Sequence, residues 1–328
     1  MMLEIDKRRI RVWSMLGMSR TFGSVLEDML CEDDRLVLSV ADVGRIIAYN
    51  SFERNYPNHV FEMGIAEQNL ITASAGLAHE GYNVFASSYS TFLTARALDQ
   101  VRVNMGMMKL PIKLIGIGGG LADGTLSATH MGIEDVSNMR CIPGMTVIVP
   151  SDGLELVKVL FALLKYDKPA YVKLTGESSL PVIYREDFDY QIGKAITLCE
   201  CEGDMDVAII SCGAILSRVM KAREILAADG IKCKVIDMHT IAPIDEQMLE
   251  SLKSAKMIVT VEEHSVRGGL GSAIAEWYSD KKKRPVQLII GVTGDSYPDA
   301  SEYDNLLTKC RLDENSIAGK IKERFLSL

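Results

Sequence analysis

The first half of the chain alternates short apolar runs, rich in β-branched residues, with longer segments of helical periodicity. Apolar runs bounded by turn residues are typical of buried strands, and the longer segments between them favour helices. The runs predict strands at 37–41 with its flank, 83–88, 112–118 and 145–150, and the segments predict helices at 11–31, 67–80, 90–108 and 151–166. Buried strands that alternate with helices form βαβ units, so we expect a mostly parallel sheet.

The alternating pattern breaks around residues 180–195, where Pro181 and a charge cluster interrupt it without a clear helix. A second set follows. It predicts strands at 206–213, 233–239 and 257–264, and helices at 214–229, 245–254 and from 270 onward. The sequence therefore predicts an α/β protein of two tandem domains, 1–185 and 190–328, each a mostly parallel sheet flanked by helices.

Composition narrows the class of protein. The chain is 48% hydrophobic and 24% charged, as is ordinary for a globular protein, and its net charge of −8 argues against a nucleic-acid or anionic-membrane binder. No apolar run approaches the ~18 residues of a transmembrane helix, and the N-terminus lacks a signal-peptide pattern. Seven scattered Cys and five His match neither a disulfide framework nor a metal pattern. We expect a soluble, cytoplasmic protein that supplies no metal site.

Two glycine-rich segments are candidates for binding phosphate. Residues 116–124 follow a strand but lack the spacing of a dinucleotide-binding loop. Residues 268–273 follow a strand and start a helix, whose N-terminus could hold an anion. Close packing of strand on helix explains the same glycines, so both interpretations stay open.

Glu67 is the most informative single residue. It lies in the apolar segment FEMGIAEQNL (61–70), follows a probable strand and opens a helix. A buried carboxylate is costly without a partner, and ligands of open α/β sheets bind at the carboxyl ends of the strands. Glu67 therefore either caps its helix N-terminus, pairs within the chain, or binds a ligand. Asp42 follows a strand in the same way.

Two aromatic residues and a histidine also lie beyond predicted strands. Tyr89 and Phe92 stand three residues apart at the start of a predicted helix, on one face, where such pairs usually belong to the core. His130 lies on a loop, where a lone histidine is usually an ordinary polar residue. Separately, none of these residues settles the function.

Taken in order, these segments resemble the C-terminal half of transketolase, its pyrimidine-binding domain followed by its C-terminal domain. The resemblance covers nearly the whole chain. It is carried by SRTFGSVL (19–26), ADV (41–43), FEMGIAEQNL, FASSYSTF (85–92), THMGIEDVSNMRCIPGMTVIVPSD (129–152), VIDMHTIAPID (235–245) and IVTVEEHSVRGGLGSA (258–273). YSTFLTARALDQV (89–101) is also similar to deoxyxylulose-phosphate synthases, and the Glu-Gln pair at 67–68 to 2-oxoacid dehydrogenase beta subunits.

The resemblance implies thiamin diphosphate as the cofactor and assigns five residues to it. Glu67 would act catalytically by hydrogen-bonding N1′ of the aminopyrimidine ring. Tyr89 and Phe92 would pack around that ring. Val43 would be the apolar wedge that keeps the cofactor bent, with Asp42 beside it.

The resemblance also implies two substrate residues. His130 would face the substrate near the reactive carbon, as a catalytic and substrate-binding group. Arg20 would bind the terminal phosphate of the substrate, a task that suits a guanidinium group.

Other substrate positions depart from the family pattern. An aspartate expected just before His130 is Leu126, although Asp123 lies nearby, and a second phosphate-binding arginine expected within 173–178 is Gly176, with Lys173 as a stand-in. A histidine and a serine are replaced by the glycines 118–120 and by Ile46. These changes put the usual pentose- and heptose-phosphate substrates in question.

Half of the family's active site is missing from this chain. The family holds the diphosphate and its Mg²⁺ with a Gly-Asp-Gly…Asn pattern on an N-terminal domain, and neither GDM (203–205) nor GDS (294–296) completes that pattern. The resemblance therefore implies a partner subunit that supplies these ligands. We expect a homodimer within a heterotetramer, and exposed apolar surface around residues 61–110 for the partner.

The sequence thus predicts the C-terminal subunit of a two-component transketolase, which transfers a two-carbon ketol unit from a ketose to an aldose. Two alternatives remain open. One is another thiamin-diphosphate reaction, a deoxyxylulose-phosphate-type condensation or a 2-oxoacid decarboxylation. The other is a non-catalytic regulatory paralogue.

Overall fold

Two sheets form the framework of the protein. The computed structural model describes residues 4–176, 179–201 and 203–328. Its strands are β1 (Leu36–Val40), β2 (Val60–Glu62), β3 (Asn83–Tyr89), β4 (Lys113–Ile117), β5 (Thr146–Ile148), β6 (Ala170–Lys173), β7 (Ile196–Cys199), β8 (Val207–Ser211), β9 (Cys233–Asp237), β10 (Thr240–Ala242), β11 (Met257–Ser265) and β12 (Val286–Val292).

Both sheets are mostly parallel. The first has the order β10-β5-β6-β4-β3-β1-β2, and only β10 runs antiparallel, against β5. The second has the order β12-β11-β8-β9-β7, with β7 antiparallel to β9. Central strands such as β1, β4 and β8 are buried along their whole length, because helices cover both faces of each sheet. The predicted fold class is confirmed.

Helices connect the strands. They are α1 (Lys7–Ser24), α2 (Leu26–Glu32), α3 (Gly44–Ile47), α4 (Asn50–Asn55), α5 (Glu67–His79), α6 (Leu98–Val101), α7 (Asp135–Arg140), α8 (Gly153–Leu164), α9 (Leu216–Ala228), α10 (Glu246–Ser251), α11 (Leu270–Tyr278), α12 (Tyr303–Lys309) and α13 (Glu314–Leu326). Short 3₁₀ turns cover Pro57–His59, Gly124–Leu126 and Ala128–His130.

Two predicted helices are less regular than their periodicity indicated. The helix predicted at 11–31 is broken at Gly17, whose φ of 71° only glycine adopts readily, and it ends before α2 begins. The helix predicted at 90–108 contains two π-helical segments, Phe92–Arg96 and Arg102–Met107, on either side of α6. A π-helical segment holds an extra residue per turn and redirects the side chains around it.

The predicted division of the chain at 185–190 stays a prediction. Strand β7 lies in the second sheet, whereas β10, which comes later in the chain, completes the edge of the first sheet. In the described part of the chain, no helix is both long and apolar enough to span a membrane.

Candidate active site

The sequence-predicted site residues gather at the carboxyl edge of the first sheet. Each lies at or beyond the end of a parallel strand, where open α/β sheets bind ligands. Strand β1 is followed by Asp42 and Val43, β2 by Glu67, β3 by Tyr89 and Phe92, and β4 by His130.

Glu67 is buried and has a partner within this chain. Its side chain is 3% exposed, and its Oε2 accepts a 2.8 Å hydrogen bond from Nη1 of Arg96. The Ser88 hydroxyl lies 3.4 Å from Oε1. Since these contacts come from other elements, the carboxylate is held by a cation across the sheet edge rather than by its own helix N-terminus.

Arg96 is the residue that sequence reasoning missed. It ends the π-helical segment Phe92–Arg96, and its guanidinium carbon lies 4.1 Å from the centre of the Phe92 ring. The guanidinium group thus stacks on an aromatic ring while it binds a buried carboxylate. A signal existed in the sequence, since residues four apart in a helix contact each other, but the contact with Glu67 spans 29 residues.

Tyr89, Phe92 and His130 form one aromatic cluster. Their ring centres are 4.9–5.6 Å apart, and all three pairs meet edge to face. Nδ1 of His130 lies 3.0 Å from Oγ1 of Thr129. The cluster brings together three of the predicted residues, and Arg96 joins it to Glu67.

Asp42 and Val43 lie in the loop after β1. Asp42 has a φ of 54°, and its backbone N–H donates to Oε1 of Glu62. Glu62 also accepts from the backbone N–H of Gly64, so one carboxylate fixes both loops. The Val43 side chain is fully buried in the core of this chain. The cofactor roles of Asp42 and Val43 stay predictions.

A pocket of 460 Å³ adjoins the aromatic cluster. It is lined by residues 16–20, 45–46, 118, 122–123 and 174–176. Arg20 lies here, together with the positions that depart from the family pattern, Ile46, Gly118 and Gly176. Burial raises the pKa of the Asp123 carboxyl, which also lines the pocket, and the nearby His130 opposes the rise.

Lys173 cannot replace a phosphate-binding arginine. Its side chain is 2% exposed, and its ammonium group donates to Oδ1 of Asp135 at 2.7 Å and to the carbonyl oxygens of Gly132 and Glu263. The stand-in suggested by the sequence is therefore wrong, because all three ammonium hydrogens have partners. Residues 177 and 178 of the same segment lie outside the described residues.

Both glycine-rich segments have structural explanations. Oε1 and Oε2 of Glu262 accept hydrogen bonds from the backbone N–H groups of Gly271 and Leu270, so a carboxylate of this chain occupies the N-terminus of α11. In the other segment, a Cβ atom at Gly120 would lie 2.3 Å from Oε1 of Glu263. Glycine is needed there for close packing between the two sheets' loops.

No group of three or more His, Cys, Asp or Glu side chains is arranged to hold a metal ion in residues 4–176, 179–201 and 203–328.

Comparison with known proteins places this geometry in a family. Residues 14–179 match the family model of the transketolase pyrimidine-binding domain, and residues 193–315 match that of the transketolase C-terminal domain. The chain therefore belongs to the transketolase family. A pyrimidine-binding domain of this family implies thiamin diphosphate as the cofactor.

Several relatives are of the same length as this chain. A putative transketolase C-terminal section of Methanocaldococcus jannaschii is 35% identical, over 94% of this chain and 96% of the relative. A subunit of the apulose-4-phosphate transketolase of Phocaeicola vulgatus is 34% identical, over 84% and 88%. A solved split-gene transketolase, an inactive beta4 tetramer, superposes with a TM-score of 0.83 at 30% identity, over 95% and 98%.

Longer relatives match over half of their length. The 1-deoxy-D-xylulose-5-phosphate synthase of Caldanaerobacter subterraneus is 34% identical over 94% of this chain but only 49% of the synthase. The chain thus has the extent of a transketolase C-terminal section.

The chemistry of the cluster fits an aminopyrimidine ring. A planar guanidinium group already binds the Glu67 carboxylate and stacks on Phe92. An aminopyrimidine that is protonated on a ring nitrogen is also planar and cationic, and it would satisfy the same carboxylate and the same ring face. Glu67, Tyr89 and Phe92 are therefore the residues that would hold it.

Proposed function

We propose that this chain is the C-terminal subunit of a two-component transketolase, which transfers a two-carbon ketol unit from a ketose to an aldose. The observation that carries the proposal is the buried carboxylate of Glu67 beside an aromatic cluster, in a domain that matches the pyrimidine-binding family model. When bound, thiamin diphosphate supplies the carbanion chemistry, and the protein supplies orientation and proton control.

Each residue of the cluster has a defined task in this proposal. Glu67 holds the proton on N1′ of the pyrimidine ring, and Tyr89 and Phe92 orient that ring. His130 contacts both aromatic rings and faces the space next to Asp123, so it is placed to exchange protons with the substrate's oxygen atoms. Arg20 binds the far end of the substrate.

A separate partner chain supplies the ligands of the diphosphate and of Mg²⁺. Relatives of the same extent as this chain are named as a C-terminal section and as one subunit of a transketolase. The apolar surface expected around residues 61–110 includes Ile65, Met107 and Met108, which are 75%, 67% and 55% exposed. Large exposed apolar side chains close to the cluster fit a docking surface for the diphosphate-binding domain, and we propose a homodimer of this chain within a heterotetramer.

Calorimetric titration tests the proposal. Thiamin diphosphate with Mg²⁺ is titrated into this chain alone, and into its mixture with the protein that carries the Gly-Asp-Gly…Asn pattern. We expect tight binding and ketol transfer only in the mixture, and loss of both with Glu67→Gln. Glu53→Gln, on exposed α4, is the control. Equal binding to the chain alone would refute the divided site, and full transfer activity of Glu67→Gln would refute the role of Glu67.

A second candidate activity follows from the synthase relatives. Their identity to this chain, 34%, equals that of the apulose-4-phosphate transketolase relative. A deoxyxylulose-phosphate-type condensation consumes pyruvate and releases carbon dioxide, whereas ketol transfer does not. Release of carbon dioxide from pyruvate by the assembled pair would therefore replace the transketolase proposal.

A further inference from the structure

Two arginines share the pocket beside the aromatic cluster, and the resemblance accounts for only one of them. Arg20 and Arg45 both line the 460 Å³ pocket, and both are exposed. Within the described residues, neither guanidinium group has an ion-pair or hydrogen-bond partner. Asp123 is the carboxylate on the same pocket wall. Two unpaired cations at one end of a pocket attract an anion.

Close helix packing brings the two arginines to the same pocket. A Cβ atom at Gly23 would lie 1.7 Å from the backbone oxygen of Ile47, so only glycine lets α1 and α3 meet at this distance. Arg20 lies one turn before Gly23, and Arg45 lies two residues before Ile47. The break at Gly17 turns the last part of α1 toward the pocket, which Gly17 itself lines.

The opposite wall of the pocket cannot supply a second cation. Gly176 has a φ of 82°, and a Cβ atom there would lie 2.4 Å from Cδ2 of Leu180 and 2.7 Å from the Cβ of Ala214. An arginine at this position would be strained and would collide with its neighbours. Lys173, three residues earlier, is bound to Asp135. A second cation must therefore come from α3.

We propose that Arg45 and Arg20 together bind the terminal phosphate of the sugar substrate, with Arg45 as a specificity-determining residue. The inference rests on the proposed ketol transfer. Two guanidinium groups match the charge of a phosphomonoester, which is close to −2 at neutral pH, and they offer paired N–H donors to its oxygens. The distance from the cluster to the arginines, bridged by Asp123, leaves room for the hydroxyl groups of the sugar chain between the reacting carbon and the phosphate.

The kinetic test uses the assembled two-chain enzyme with an aldopentose 5-phosphate and with the same aldopentose without phosphate as acceptors. Arg45→Gln keeps the polarity of the side chain and most of its length but removes its charge. Hydrogen bonds to charged groups predict that kcat/KM for the phosphorylated acceptor falls at least about tenfold more than for the other acceptor. Arg54→Gln, an exposed arginine of α4 outside the pocket, is the matched control. Equal losses for both acceptors would overturn the proposal.

A binding test separates this inference from the proposed function. Inorganic phosphate is titrated into this chain, and its protection against thermal unfolding is measured. We expect phosphate to raise the Tm of the wild-type chain and of Arg54→Gln, and to raise that of Arg45→Gln much less. If this holds while the assembled pair transfers no ketol unit, the anion site stands and the proposed activity falls. Equal protection of all three proteins would refute the anion site, whatever the activity.

Discussion

The ion pair between Glu67 and Arg96 gives the sharpest test of the site's architecture. Replacing Arg96 by Met removes the guanidinium group but keeps an unbranched side chain that can still cover Phe92. The carboxylate, which is 3% exposed, then loses its 2.8 Å partner and stays buried. Replacing Glu67 by Gln does the converse, and it leaves a half-exposed cation that water can solvate.

The magnitude follows from the burial of the two partners. Exposed ion pairs contribute about 0.2–1 kcal/mol, whereas removing one member of a buried pair costs about 3–5 kcal/mol. Because Arg96 is 46% exposed and Glu67 is almost fully buried, we expect an intermediate value. Arg96→Met should lower the free energy of unfolding by about 2–3 kcal/mol, with an interaction energy of about 2 kcal/mol between the two sites.

A double-mutant cycle measures that interaction energy. Urea unfolding at pH 7 is followed by circular dichroism for the wild type, Arg96→Met, Glu67→Gln and the double variant. The control is Arg102→Met, whose arginine is 63% exposed and lies 3.7 Å from an exposed aspartate, so its expected cost is at most about 0.5 kcal/mol. An interaction energy below about 0.5 kcal/mol, the usual limit of additivity, would refute the view that Arg96 satisfies Glu67.

Three further predictions concern stability. Gly23→Ala should destabilise the chain by at least about 1–3 kcal/mol in urea unfolding, because its Cβ would collide with a carbonyl oxygen of α3; Gly76→Ala, in α5 with open space around its Cβ, should instead stabilise by about 0.5–1 kcal/mol. Lys173→Met should cost about 3–5 kcal/mol, because Asp135 is left buried and unpaired, and adding Asp135→Leu should recover part of that loss; equal losses in both variants would contradict the pairing. Burial raises the pKa of Asp237 to about 7, so the folded state holds a proton that the unfolded state has released, and this contribution to stability is lost as pH rises from about 4 to 7. Asp237→Asn should flatten that part of the unfolding midpoint-versus-pH curve, and an unchanged slope would contradict the assignment.

The fold was largely readable from the sequence because most strands are long enough to show their pattern. Apolar runs such as 36–40 and 207–211 are buried on both faces and contain five residues or more. Strand β10, in contrast, has three residues and follows β9 closely, so nothing in its composition indicates that it joins the other sheet. Its pairing is set by contacts that are distant in sequence.

The candidate site was predictable only in part. Residues at strand ends, such as Glu67 and Tyr89, could be found because strand ends mark the binding edge of a parallel sheet. Arg96 could not be paired with Glu67, because that pairing depends on the π-helical segment and on the strand order β3-β1-β2. For the same reason Lys173 was misjudged, since only the fold shows that Asp135 lies beside it.

Strand β10 has a consequence for how the chain is made. Protein synthesis proceeds from the N-terminus, and domains generally fold as they emerge. The edge of β5 is covered only by Thr240–Ala242, so the first sheet stays open on that side until most of the second half of the chain has been synthesised. An open strand edge is a template for pairing with other chains. A polypeptide that stops near residue 185 would keep β5 uncovered, and its tendency to aggregate would come from this short missing strand rather than from any defect in its own core.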